Sequence, residues 1–153
     1  IGDLDALALS RLMMFQYLIG NTDFAVLSGP QEDACCHNTR VLRSGDPQQR
    51  FAVPYDFDSA GMVAADYVAP HESLPIKSIS ERLYRGFCHH NHTLAAAREE
   101  FLAQRTAIFE LIKNEQRLSA KRRRELTRYI EQFYATLNSE YGFQREFSAK
   151  CRK

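Results

Sequence analysis

The stretch Leu12-Met13-Met14-Phe15-Gln16-Tyr17-Leu18-Ile19-Gly20-Asn21-Thr22-Asp23 decides how this chain is read. Wound as a helix, Leu12 to Ile19 is apolar on nearly every side, Gln16 being the strongly polar exception. Such a helix belongs in the centre of a domain and supports the chain beyond it. Immediately after it, Gly20-Asn21-Thr22-Asp23 reads as a stop and a turn. Upstream, Leu7 and Leu4 continue the apolar spacing, which predicts a helix over residues 3–19 with Asp3 as N-cap.

Working outward, Phe24 to Val26 reads as extended chain and Ser28 to Asp33 as a surface loop. Two strand-like runs, Thr39 to Arg43 and Phe51 to Tyr55, flank Ser44-Gly45-Asp46-Pro47, whose Gly and Pro chemistry suits a hairpin. Ser59 to Ser73 carries Gly61 and Pro70 and reads as an irregular segment crossing the site. Ser78 to Phe87 has the spacing of a short amphipathic helix, with Ile79, Leu83 and Phe87 on one side. Thr93 then caps a long helix reaching about Arg117, striped by Leu94, Phe101, Leu102, Ile108, Phe109 and Ile112. Ser119 caps a second, striped by Leu126, Tyr129, Ile130, Phe133, Tyr134 and Leu137; the short junction at Leu118 predicts antiparallel packing of the two stripes. The fold class is mainly α with a small β-hairpin, an α+β arrangement. One domain spans 1–153, with the site region in 1–92 and a C-terminal helical pair and tail in 93–153.

Composition bounds the rest. At 153 residues and 44% hydrophobic, the chain has the size and apolar content of one domain with a closed core. A formal charge of +1 gives no global attraction to nucleic acid or to a membrane surface. No apolar run approaches the ~18 residues of a membrane span, and no signal peptide is visible. The chain begins with Ile1 rather than Met, which reads as an excised or processed piece. Four cysteines, Cys35, Cys36, Cys88 and Cys151, are too few for a disulfide-built scaffold. A bridge from Cys88 to Cys35 or Cys36 is expected if the parent is exported, and buried thiols if it is cytoplasmic; both compartments remain open.

Three polar motifs stand out against the apolar framework: Gly20-Asn21-Thr22-Asp23, His37-Asn38 and Pro54-Tyr55-Asp56-Phe57-Asp58. Together they supply the residue types of a phosphate-transfer centre: an Asp to orient or deprotonate an acceptor, an Asn to hold a metal, and a further Asp at the metals that bridge nucleotide phosphates. Asp23 as a plain turn residue capping neighbouring amides is the alternative, but a second acidic cluster downstream is more than a turn requires. Asn38 offers a neutral oxygen to a hard cation, or caps its own strand. His37 orients Asp23 or a phosphate, or is a structural histidine. Asp56 and Asp58, at i and i+2 on extended chain, share one side and call for a cation or a nearby Arg to offset their repulsion, the alternative being a solvated pair on an edge strand. Cys88-His89-His90 with His92, and Cys35-Cys36-His37, contain zinc-ligand types without the usual zinc spacing. Lys121-Arg122-Arg123-Arg124 opens a helix, where the macrodipole disfavours cations, and reads as a solvated face, with a phosphate-rich partner as the minority reading.

The run Tyr17 to Phe24, the His37-Asn38 pair, Pro54 to Asp58 and Arg82-Leu83-Tyr84-Arg85-Gly86-Phe87-Cys88 resemble a largely uncharacterised bacterial family similar to the atypical protein kinases of the HipA and CotH type. The resemblance covers about Leu12 to Cys88. It implies a protein-kinase-like C-terminal lobe with Asp23 catalytic, Asn38 and Asp56 at the nucleotide, and Asn38, Asp56 and Asp58 at Mg2+ or Mn2+, using ATP. The acceptor, protein or small molecule, is open. Two departures go with it. Asp23 and Asn38 are fifteen positions apart, so a loop must bulge out between them. The seven glycines are scattered singly, so the phosphate-covering N-terminal lobe is missing, and the isolated piece is expected to bind ATP poorly and to be inactive. The reading from another class is a non-catalytic helical interaction module, or a pseudokinase of a secreted protein.

Overall fold

The computed structural model describes residues 4–29, 35–46 and 49–153. Helix α1 (Ala6–Ile19) starts at Asp5, whose side chain accepts the Ala8 N–H at 2.8 Å. The expected cap, Asp3, lies outside the described residues. Leu9, Leu12, Met13, Met14, Tyr17, Leu18 and Ile19 are all buried, and Gln16 with them. From Leu12 onward the helix is central because its apolar residues leave little face for water. It stops at Gly20, whose φ of 68° lets its N–H meet the carbonyls of Gln16 and Tyr17. A Cβ at this position would run into the Tyr129 hydroxyl. Conformation and space therefore both call for glycine.

Strands β1 (Thr39–Arg43) and β2 (Arg50–Pro54) pair antiparallel, Thr39 opposite Pro54 and Arg43 opposite Arg50. The hairpin is the expected one, its second strand shifted by one residue. Ala52 and Pro54 share a hollow with Leu12 and Phe15 of α1. The other face leaves Leu42, Val53 and Tyr55 exposed.

The helical half begins with a 3-10 turn (Cys88–Thr93), followed by α2 (Leu94–Ala103) and α3 (Arg105–Asn114). The single helix expected from Thr93 is thus interrupted at Gln104, with φ −86° and ψ 0°. The bonds Gln104 N–H to Glu100 O and Ile108 N–H to Gln104 O carry hydrogen bonding through the break. Helix α4 (Ala120–Asn138) is capped as expected, the Ser119 hydroxyl accepting the Arg122 N–H at 3.1 Å. Its stripe packs against both preceding helices. Arg98 bonds the Leu137 carbonyl, Phe101 packs on Phe133 with centroids 5.6 Å apart, and Phe109 packs on Tyr134 at 5.6 Å. Helix α5 (Glu140–Phe143) and a π turn (Gln144–Ser148) then bring Phe147 against Tyr17 and Tyr84, at 4.8 and 4.9 Å.

Two expectations are corrected. Residues 78–87 do not form a helix. Arg82 is drawn to the carbonyls of Leu18 and Tyr129, its guanidinium 3.6 Å from the Tyr129 ring centroid, and Tyr84 is buried. These tertiary contacts need a more extended chain and override the weak helical spacing. The cysteine pairing also differs. Cys88 is bonded to Cys151, with Cα atoms 4.9 Å apart, and Cys35 to Cys36. The C-terminal tail runs beside Gly86–Cys88, Arg152 exchanging backbone hydrogen bonds with Gly86 and Cys88 at 2.8 and 2.9 Å, and so carries Cys151 to Cys88.

Candidate functional site

Asp23 sits beyond α1 on a turn held from two sides. The Asn21 Oδ1 accepts the Asp23 N–H at 2.9 Å. Arg85 donates through Nη1 to the carbonyls of Thr22 and Phe24, at 2.5 and 2.7 Å, while its Cζ lies 5.0 Å from the Phe24 ring centroid. The carbonyls flanking Asp23 are therefore fixed, and its carboxylate stays half-exposed. Burial lowers the Arg85 pKa, Arg152 acts in the same direction and Asp23 opposes it; a guanidinium nevertheless stays charged.

The separation between Asp23 and Asn38 is closed by a backbone bridge. Ala25 and His37 exchange two hydrogen bonds of 2.9 Å, which sets His37 and Asn38 beside the segment that carries Asp23. His37 Nε2 lies 2.8 Å from Asp23 Oδ1. The Asn38 amide donates to the Asp23 carbonyl at 2.9 Å and to Asp23 Oδ2 at 3.2 Å.

The hairpin then sets the second acidic group beside Asn38, whose carbonyl accepts the Tyr55 N–H at 3.0 Å. Asn38 and Asp56 both have left-handed backbones, φ 49° and 57°. Left-handed non-glycine residues cost of order 1 kcal/mol and persist where the surroundings fix them. At Asp56 this bend means that Asp56 and Asp58 do not lie on extended chain as expected. Their carboxyls are neighbours all the same. Asp58 accepts the Tyr67 hydroxyl at 2.9 Å and the Ser59 hydroxyl at 3.1 Å. Its pKa is held below the ordinary aspartate value, first by Tyr67, then by Ser59 and by Asp56.

A cleft of about 320 Å³ beside Asp23 is lined by Thr22, Asp23, Ser59, Tyr67, His71 and Ile79 among others; Asn38, Asp56 and Asp58 do not line it. Asp23, His37 and Asn38 are in direct contact. Asp58 is linked to that cleft only indirectly, through Tyr67 and Ser59, which bond it and line the cleft beside Asp23; Asp56 neighbours Asp58. Tyr67 and His71 went unnoticed in the sequence because they lie in the irregular segment, where no periodicity marks a side. Arg85 belongs to a quoted motif but had no role there; an arginine next to Tyr84 carries no signal until its carbonyl partners are in place.

Among the described residues, no group of three or more His, Cys, Asp or Glu is arranged to hold a metal ion. The oxygen donors expected from the sequence are the Asn38 amide oxygen and the Asp56 and Asp58 carboxylates, none of which lines the cleft beside Asp23. An all-oxygen set with one or two carboxylates fits a small hard cation that takes its remaining ligands from water and phosphate. Cys88, engaged with Cys151, is not a free thiolate. No family model, no curated protein and no solved structure matches the chain. Among the described residues, no helix is long and apolar enough to cross a membrane.

Proposed function

We propose that the chain is the C-terminal lobe of a kinase-like phosphotransferase that uses ATP with Mg2+ or Mn2+. The observation that carries this reading is the contact of the Asp23 carboxylate with His37 and Asn38, beside the cleft reached by Asp58 through Tyr67. Asp23 is the base or acceptor-orienting group. His37, at hydrogen-bond distance, holds its carboxylate in place. Asn38, Asp56 and Asp58 are the groups that would hold the cation. A bound divalent ion would supply charge neutralisation at the nucleotide phosphates. The half-exposed Asp23 and the cleft beside it leave room for the hydroxyl of a protein or small-molecule acceptor.

The experiment is a magnesium-dependent titration of full-length protein with a non-hydrolysable ATP analogue, set beside a phosphate-transfer assay. Asp56→Asn is expected to abolish metal-dependent nucleotide binding, because an amide lacks the formal charge a hard cation needs. Asp23→Asn is expected to keep that binding and lose turnover by roughly a hundredfold or more. Wild-type full-length protein that binds no nucleotide overturns the enzyme reading. The interaction module would then take its place; the Cys88–Cys151 bond, at home in an oxidising compartment, favours the secreted form of that module.

A further inference from the structure

The basic run that opens α4 divides in the fold into cations with partners and cations without. Lys121 lies 4.0 Å from Glu125. Arg122 bonds the carbonyls of Met62 and Val63 as well as Glu125. Arg123 bonds the carbonyl of Leu118 at 2.9 Å. Arg124 has no such partner among the described residues, and neither have Arg128 one turn later nor Lys113 on α3. These three converge on a single hollow of about 510 Å³ between α3 and α4. Its floor includes Phe109, packed on Tyr134, and the one carboxylate lining it is Glu131.

Like charges at i and i+4 on a helix repel by a few tenths of a kcal/mol, so Arg124 and Arg128 work against the stability of α4. Neither makes an ion pair among the described residues, and Glu131 is the one carboxylate in the hollow they share. A concave site with an apolar, aromatic floor and a cationic rim has the form of a small-ligand pocket, whereas a flat basic face would suit a membrane or a nucleic-acid backbone. Arginine forks match phosphate oxygens two at a time. The geometry points to a second binding site, in the hollow between α3 and α4, for a small phosphate ester that carries a ring: phosphate on Arg124, Arg128 and Lys113, ring over Phe109. This site is separate from the Asp23 cleft and does not depend on the function proposed for that cleft.

The test is an NMR titration with 1-naphthyl phosphate, monitoring the Arg124 and Arg128 side-chain N–H signals and the Phe109 ring, with inorganic phosphate and 1-naphthol as separate arms. Saturable shifts are expected, with 1-naphthyl phosphate at least about tenfold tighter than either part, since ring and phosphate contacts act together. The double variant Arg124→Gln/Arg128→Gln should weaken binding about tenfold or more while keeping its melting temperature, because neither side chain holds the fold together. Equal affinity for inorganic phosphate and 1-naphthyl phosphate would reduce the site to a solvated basic face and overturn the proposal. So would unchanged binding by the double variant, or a drop in its melting temperature that shows the two arginines to be structural. Vesicles of phosphatidylserine and phosphatidylcholine form a further arm. Cosedimentation that the double variant abolishes, without saturable binding of 1-naphthyl phosphate, would assign the patch to a membrane surface and likewise sink the pocket.

Discussion

Removing the Cys88–Cys151 bond with the double variant Cys88→Ser/Cys151→Ser tests how the tail is tied to the site. The two cysteines are 63 positions apart. In the chain-entropy account a crosslink of that span restricts the unfolded ensemble by about 4 kcal/mol at 25 °C. The native contacts around it survive the substitution, since Arg152 keeps its backbone hydrogen bonds to Gly86 and Cys88. The loss should therefore fall near about 3–4 kcal/mol, with the chain-entropy value as its ceiling. Domains of this size have a total stability of about 5–15 kcal/mol, so this is a large share, and a fall of about 10 °C in melting temperature is expected. The effect should reach the site as well. Gly86 and Phe87 come directly after Arg85, whose guanidinium fixes the carbonyls on both sides of Asp23. Urea unfolding monitored by circular dichroism gives the stability difference, and hydrogen exchange at Asp23 and Phe24 reports the loosening of the turn. A loss below about 1 kcal/mol, or a non-reducing peptide map linking Cys88 to Cys35 or Cys36, would refute the reasoning.

Three further outcomes are expected. Gly20→Ala should cost at least about 2 kcal/mol, because it combines a left-handed alanine with a collision against the Tyr129 hydroxyl; denaturant midpoints check it. Arg85→Gln should cost about 2–4 kcal/mol by weakening two charge-assisted hydrogen bonds, and should speed exchange at Asp23 more than in α4. On the acid side, Arg11 grips Glu100 with two hydrogen bonds and lowers its pKa. Because the folded pKa lies below the unfolded one, the stability this pair adds is present above the unfolded value and is lost as pH falls through the folded one. With side chains 50% and 41% exposed the pair is worth under about 1 kcal/mol. Glu100→Gln should remove that part of the acid dependence in urea titrations run across about pH 2 to 5, the span of ordinary carboxylates; an unaltered pH profile would show that the pair contributes nothing.

What was legible in the sequence was whatever a local pattern determines. Leu12 to Ile19 announced a buried helix because nothing polar beyond Gln16 asked for water, and Gly20 announced its end. The hairpin, the Ser119 cap and the facing stripes of the C-terminal helices were local in the same sense. The errors lie where distant residues decide. Residues 78–87 have helical spacing, but Arg82 and Arg85 are claimed by carbonyls some sixty residues upstream, at Leu18, Thr22 and Phe24. Cys88 could not be matched to Cys151 because no spacing rule encodes a tail folding back beside Gly86. Within the site, His37 and Asn38 could be named from the motif, whereas their closure on Asp23 rests on the bridge between Ala25 and His37. Tyr67 joined the site only through its hydroxyl contact with Asp58.

Whether Asp23, Asn38 and Asp56 surround one cation and nucleotide site is tested most directly by manganese relaxation. Backbone amide signals would be recorded while Mn2+ is added in the presence of millimolar non-hydrolysable ATP analogue, for wild type, Asp56→Asn and Asp23→Asn. Broadening confined to residues around Asp23, Asn38 and Asp56–Ser59, lost in Asp56→Asn and kept in Asp23→Asn, is the predicted result. Broadening spread over the surface carboxylates, or identical in wild type and Asp56→Asn, would contradict it.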